Sequence, residues 1–248
     1  MRLYYYTSKQ FGIKSLWEKR LKMAEYDFLN DPYELMPYDR REKRHRVQWH
    51  PIQDYLKQSG IVCFSESWQS VLMWAHYAEK HTGLVLGFDV DVVETDKVKY
   101  IEELLPSPMS DGVENWMTTE VYMAAIQNKY IGWSYEREWR LRRPLPIPVD
   151  GIHYKPFDEE LVLREVIIGE RCTLKPFDVA DAVGAQTPWD VKVKKARAAF
   201  GRFEICTDRR VRTLVLPGIG KERREALQLA AVLRSHLPTT SPAPERPR

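Results

Sequence analysis

The chain has little that would tie it to a disulfide, metal or membrane class. Its three cysteines, Cys63, Cys172 and Cys206, stand far apart, odd in number and with no Cys-x-x-Cys pair, among 248 residues. That argues against a disulfide framework and suits a reducing compartment, so a cytoplasmic location is expected. No run approaches the 18 apolar residues of a membrane span. MRLYYYTSK has no apolar h-region, so no signal peptide is expected there. There is no Walker loop, no Gly-x-Gly-x-x-Gly and no Gly-x-Ser-x-Gly elbow. His45 and His50, like His76 and His81, lie five apart rather than the four that would set two imidazoles over one metal on a helix, and no metal is expected. An excess of one charge is also missing. Against 35 acidic residues stand 38 basic ones, a net charge of +3, which makes no strong electrostatic case for nucleic acid.

What the chain does have is an ordinary apolar content, 44%, enough for a real core, and a length that suits one α+β domain with appendages. It is rich in large rings, with eight Trp and thirteen Tyr. These fill a core or line an aromatic cleft. One stretch organises the rest: residues 61–90, IVCFSESWQSVLMWAHYAEKHTGLVLGFDV. Two β-prone runs, Ile61–Phe64 and Leu84–Phe88, flank a segment with helical spacing at Val71, Met73, Trp74, Tyr77 and Ala78. Gly83 is read as the helix stop. Ser65, Glu66 and Ser67 close the first strand, where small polar groups beside a helix N-terminus can face a ligand, or where Ser67 simply caps the helix, the commoner use of such a serine. Met73 and Trp74 are expected in the core, with His76 or Tyr77 turned to the cleft.

In chain order, Leu3–Thr7 reads as a strand and 11–23 as a helix carrying Ile13, Leu16, Trp17 and Leu21. Asn30-Asp31-Pro32 reads as a turn, with Asp31 and Glu34 either holding a ligand or capping a helix that begins near Pro32. DRREKRHRVQWH at 39–50 is a basic run, Arg40–Arg46, suited to phosphates or to one solvated helix face. Val98–Tyr100 reads as a strand, 102–114 as a loop and 115–130 as a helix. Leu161–Ile168, Val191–Lys194 and Phe203–Thr207 read as strands and Lys175–Val183 as a helix. Residues 1–206 are expected to form one α+β domain. Residues 207–236 then form an extension whose amphipathic helix, 219–236, carries Leu227, Ala230, Ala231 and Leu233, and 237–248 a disordered tail.

Glu136-x-Glu138 is the best candidate for chemistry. On an alternating strand, EREWRLR, both carboxylates and Arg140 share one face, with the carboxylates about 6–7 Å apart. Two acids that close raise one pKa, which suits acid–base work or a cationic transition state. Pairing with Arg137, Arg140, Arg142 or Arg143 on a wet edge is the plainer reading. A His–acid nuclease from Asp31, Glu34 and His76 is a further one.

The set LYYYTS (3–8), FLNDPYE (28–34), CFSESWQSVLMWAHYAEKHTGLVLGFD (63–89), SYEREWR (134–140) and VIIGERC (166–172) resembles a bacterial domain family of unknown function over roughly residues 1–206. More distantly, Tyr4-Tyr5-x-Thr7, then Phe64-Ser65-Glu66-Ser67 with the following helix and strand, then Glu136-x-Glu138, is similar to the three-strand pattern of ADP-ribosyltransferases. Tyr5 stands where that pattern has His or Arg, and Glu66 where it has Thr. The resemblance implies a split antiparallel β-sheet core with flanking helices and NAD as a substrate in the cleft. It implies Tyr5, Thr7, Ser65, Ser67 and Tyr77 as NAD-binding, with Trp74 a stacking alternative and Glu138 and Glu136 catalytic. Asn30, Asp31, Glu34, His76 and Arg140 are further site candidates that would hold polar ligand groups. The activity implied is ADP-ribosyl transfer to an unknown protein or nucleic-acid acceptor, or NAD hydrolysis, in a toxin–antitoxin or phage-defence setting. An antitoxin or a second copy would pair through the C-terminal helix. A nucleic-acid-binding or nuclease module and a non-catalytic sensor are the alternatives.

Overall fold

The computed structural model describes residues 1–109, 116–184, 187 and 189–220. The expected helix at 219–236, from residue 221 on, and the tail at 237–248 lie outside the described residues. In chain order the strands are β1 (Arg2–Thr7), β2 (Arg20–Lys22), β3 (Ser59–Ser65), β4 (Leu84–Val90), β5 (Thr95–Lys97), β6 (Lys99–Ile101), β7 (Asn128–Tyr130), β8 (Glu138–Pro144), β9 (Tyr154–Pro156), β10 (Leu161–Ile168), β11 (Val191–Ala198), β12 (Ile205–Thr207) and β13 (Leu214–Leu216). The α-helices are α1 (Lys9–Glu18), α2 (Lys43–Leu56), α3 (Val71–Tyr77), α4 (Thr119–Gln127) and α5 (Pro176–Val183).

A large, mostly antiparallel sheet runs β12-β11-β10-β4-β1-β3-β8-β5, with β13 also on β11; among the described residues only its β10–β11 pairing is parallel. The mixed α+β class expected from the sequence is therefore present. Because β13 pairs with β11, the sheet runs past residue 206, where the sequence suggested that the domain ends.

The two faces of the sheet are built by alternation. Leu3 of β1, Val62 and Phe64 of β3, and Leu84, Leu86 and Phe88 of β4 pack with Leu16 of α1 and Val179 and Ala182 of α5. On the opposite face Tyr6, Val85 and Ile167 pack with Met73 and Trp74 of α3. Ile61 and Cys63 lie on that second face too, under Trp49 of α2 and Ala125 and Ile126 of α4. One face of the sheet thus carries two separate apolar caps, with a polar gap between them.

The strands part at that gap. β1 and β4 stay in register over Arg2–Thr7, but β1 and β3 meet at a single pair, Tyr4 opposite Ser65. From there the strands diverge, and the freed edge of β3 is taken by Ala24, whose N–H and C=O both bond Ile61 at 2.7 and 2.9 Å.

Several boundaries depart from the sequence expectation for local reasons. The first helix stops at Lys19, which is left-handed (φ 53°), so Leu21 is buried from β2 rather than from a helix. No helix begins near Pro32. Instead Asp31 Oδ1 accepts from the Tyr33 N–H at 2.9 Å in an Asx turn. The basic run is split, α2 starting only at Lys43, and Arg46 folds back to donate to the Arg40 and Arg41 carbonyls. The helix expected over 115–130 runs only from Thr119 to Gln127, with the Thr118 side chain as its cap. Gly83 does not end its helix, which stops at Tyr77 and is followed by the left-handed residues Glu79, Lys80 and His81. Glycine is needed at 83 because a Cβ there would lie 2.2 Å from the Thr7 carbonyl oxygen.

Candidate functional site

Glu136 and Glu138 come together, though not by strand alternation. Glu136 is the last residue of the 3₁₀ segment Ile131–Glu136, Arg137 is left-handed (φ 47°), and β8 starts at Glu138. Ser65 fixes this corner by donating to the Glu136 carbonyl oxygen at 2.6 Å. Tyr100 Oη accepts from the Glu138 N–H at 2.8 Å.

Both glutamates belong to a buried ionic cluster. Lys129 Nζ lies 2.6 Å from Glu136 Oε2, 3.0 Å from Glu138 Oε2 and 3.5 Å from Glu34 Oε1. Arg140 places Nε 2.8 Å from Glu138 Oε1 and Nη2 2.8 Å from Glu34 Oε1, while Nη1 donates to the Ile126 carbonyl at 3.1 Å. All five side chains are buried. Three carboxylates face two cations, so the cluster has one acid in excess. Tyr77 Oη donates to Glu136 Oε1 and accepts from Asn30 Nδ2 at 3.3 Å, which carries the network out to the surface.

The environment drives the two glutamates apart. Burial raises the Glu136 pKa, Lys129 pulls it down, Glu138 pushes it up, and the net shift is upward. Burial acts the same way on Glu138, but Arg140 and Lys129 outweigh it and hold that carboxyl at about 2. Lys129 is desolvated, yet Glu138, Glu34 and Glu136 together keep it charged and raise its pKa. Burial and the Glu136 carboxylate both raise the Tyr77 phenol. A pair of acids with divergent pKa values can divide acid–base and electrostatic roles at neutral pH.

The cluster opens into a cavity of about 310 Å³ at the parting of β1 and β3. Tyr4, Tyr5 and Tyr6 form one wall, Ile61, Cys63 and Phe64 another, and Met73 and Tyr77 reach in from α3. Asn30, Glu34, Lys129, Glu136 and Glu138 supply the polar floor. Tyr5 stands edge-on to Phe64 with ring centroids 6.3 Å apart. Burial, then the nearby Cys63 sulfur, push the Tyr5 phenol up to about 12, so it is a neutral donor.

Of the residues singled out from the sequence, Tyr5, Tyr77, Asn30, Glu34, Glu136 and Glu138 line this cavity. Arg140 underlies it. Thr7 and Ser65 are buried and do not line it, and Ser67 is spent locally, its carbonyl accepting from Tyr6 Oη and its Oγ from the Gln69 N–H. Trp74 is fully buried, with Nε1 donating to the Trp68 carbonyl, and so is core rather than a stacking platform. His76 is exposed beside Tyr135 and does not line the cavity; Tyr77 does. Glu66 is drawn off by Lys97, Trp139 Nε1 and Arg137, which overcome burial and hold it at about 2. Asp31 lies on the far side of its turn, lining a second cavity, so it does not join Glu34 and His76. Among the described residues no three His, Cys, Asp or Glu side chains are grouped to hold a metal ion. Lys129 was not legible in advance. It is a lone lysine after a helix, and its only signal is the need of three buried acids for a second cation.

Residues 73–141 match the sequence model of a family described as protein of unknown function (DUF2971). That segment includes α3 from Met73 on, α4, Lys129, Glu136, Glu138 and Arg140. No curated protein and no solved structure matches the chain. Among the described residues no helix is long and apolar enough to cross a membrane.

Proposed function

We propose that the cleft binds the nicotinamide–ribose end of NAD and cleaves the bond between them, as an ADP-ribosyltransferase or NAD glycohydrolase. The observation that carries this reading is the convergence, at one parting of a sheet, of Tyr5 from β1 and two glutamates with divergent pKa values at the start of β8. The cavity volume is at the low end for ligand sites and suits half a dinucleotide. Its floor, one carboxylate in excess, suits a cationic ring and the positive charge that grows on C1′ as the bond breaks.

In this reading Glu138 is the fixed negative charge beneath the oxocarbenium-like centre. Glu136, tethered by Tyr77 and Lys129, is the base. The C1′–N bond breaks with its electron pair passing to the ring nitrogen, which neutralises nicotinamide. An acceptor hydroxyl, amine or water adds to C1′ and loses its proton to Glu136. Consumption of NAD by such chemistry is what a toxin or phage-defence role would draw on.

The test is NAD turnover followed by release of nicotinamide. Glu136→Gln should reduce turnover at least a hundredfold while NAD still binds and the circular dichroism spectrum is unchanged. Absence of NAD binding by calorimetry to the wild-type chain would sink the proposal.

A further inference from the structure

The even balance of charge over the whole chain hides a local excess. Residues 191–216, which build β11, β12 and β13 at one edge of the sheet, hold eight Lys or Arg against two acids, a net +6 in a chain whose total is +3. The rest of the chain is therefore net acidic, and the cations are gathered at this edge. Ala198 of β11 stands opposite Ile205 of β12, so residues 199–204, AFGRFE, form the turn between the two strands. The Ala199 N–H closes the turn on the Glu204 carbonyl at 2.8 Å. It carries two bare rings, Phe200 90% exposed and Phe203 fully so. Their one ring contact among the described residues is the Arg197 guanidinium, 4.2 Å from the Phe200 centroid. A lone exposed ring needs no explanation, but two on one short turn beside cations do. Past the turn the chain runs back along β11. The Asp208 N–H bonds the Lys195 carbonyl at 2.7 Å, and Leu214 pairs with Val193. Arg209 and Arg212, between those points, are exposed and have no hydrogen-bond or ion-pair partner among the described residues. Arg210 is spent on Asp208, and Arg202 on Glu204.

We propose that this edge is a binding surface for single-stranded nucleic acid, with Phe200 and Phe203 as stacking platforms for bases and Arg197, Arg209 and Arg212 on the phosphates. An aromatic face accepts any unstacked base, and a row of guanidinium groups follows a backbone with one charge per nucleotide. A duplex keeps its bases stacked on one another and offers the two rings nothing. An anionic lipid surface also attracts apolar rings and cations, but it selects cations in one plane around the inserted tip. Here the cations follow the strand from the turn to the level of Lys194, about 15 Å, a line of charge that suits a polymer. The surface is independent of whether NAD occupies the first cavity.

The experiment is fluorescence anisotropy of labelled oligo-dT and oligo-rU, about 15 nucleotides long, titrated with the full chain. A DNA duplex of the same length and phosphatidylserine-containing vesicles are the parallel probes. Both single strands are expected to bind, and more tightly than the duplex. Phe200→Ala/Phe203→Ala should weaken their binding at least about tenfold, with an unchanged circular dichroism spectrum, because neither ring is packed in the fold. Arg209→Gln/Arg212→Gln should flatten the slope of log K against log salt by about 1.4, two phosphate contacts at about 0.7 each. Glu136→Gln should change binding less than about twofold, since it lies in the first cavity and not on this edge. Four results would overturn the proposal: no binding of either oligomer, undiminished binding in the phenylalanine variant, a duplex bound as tightly as the single strands, or a loss in Glu136→Gln as large as in the phenylalanine variant. Vesicle binding that the phenylalanine variant loses, with no oligomer bound, would reassign the tip to a membrane.

Discussion

Arg140 is 1% exposed and has all three guanidinium nitrogens engaged, by Glu138, Glu34 and the Ile126 carbonyl. A buried charge this committed is expensive to strand, because removing one partner of a buried pair leaves the other uncompensated. Glu138→Gln should therefore lower stability by about 3 kcal/mol at neutral pH, read by denaturant unfolding. The pH dependence has a definite sign. Glu138 is held at about 2 against an ordinary 4.5, so its contribution is present above pH 4.5 and fades as pH falls through about 2. The gap between wild type and variant should thus narrow in acid. This also separates the two glutamates experimentally, since Glu136→Gln tests chemistry and Glu138→Gln tests chemistry and fold together. The acids and Arg140 were legible as residue types on one short motif. The lysine that balances them was not, because a single ammonium 7 positions before Glu136 leaves no periodic trace.

The strand–helix–strand unit around α3 was readable because alternation and helical spacing are local properties. The start of β8 was not, since EREWRLR alternates just as a strand does, and only the left-handed Arg137 breaks it at the site. The two parts of the connection from α3 to β4 do different work. Left-handed Glu79, Lys80 and His81 turn the chain, and Gly83 then lets it pass the end of β1. Gly83→Ala forces a methyl against a backbone oxygen, which cannot swing aside as a side chain would. It should destabilise by about 2–3 kcal/mol, measured as a lower melting temperature. If the melting temperature is unchanged, the close approach of β1 and this connection is not as described.

At the scale of the whole molecule, two apolar caps on one sheet face leave the ionic cluster and its cavity between them. No local pattern announces this arrangement, because it depends on β1 and β3 parting after one pair. The same long-range dependence hid β13, whose pairing with β11 carries the sheet beyond 206. A chain ending at 207 should melt at a lower temperature than one ending at 220, as only the longer chain keeps that strand. The excess of one carboxylate over cations in the cluster has a consequence in solution. A cationic ligand in the first cavity lowers the raised pKa of Glu136, and a proton held there is given up to solvent. Binding should then tighten as pH rises through that pKa. Titrations with NAD in buffers of differing ionisation enthalpy should show heats that scale with the buffer, a dependence that Glu136→Gln removes.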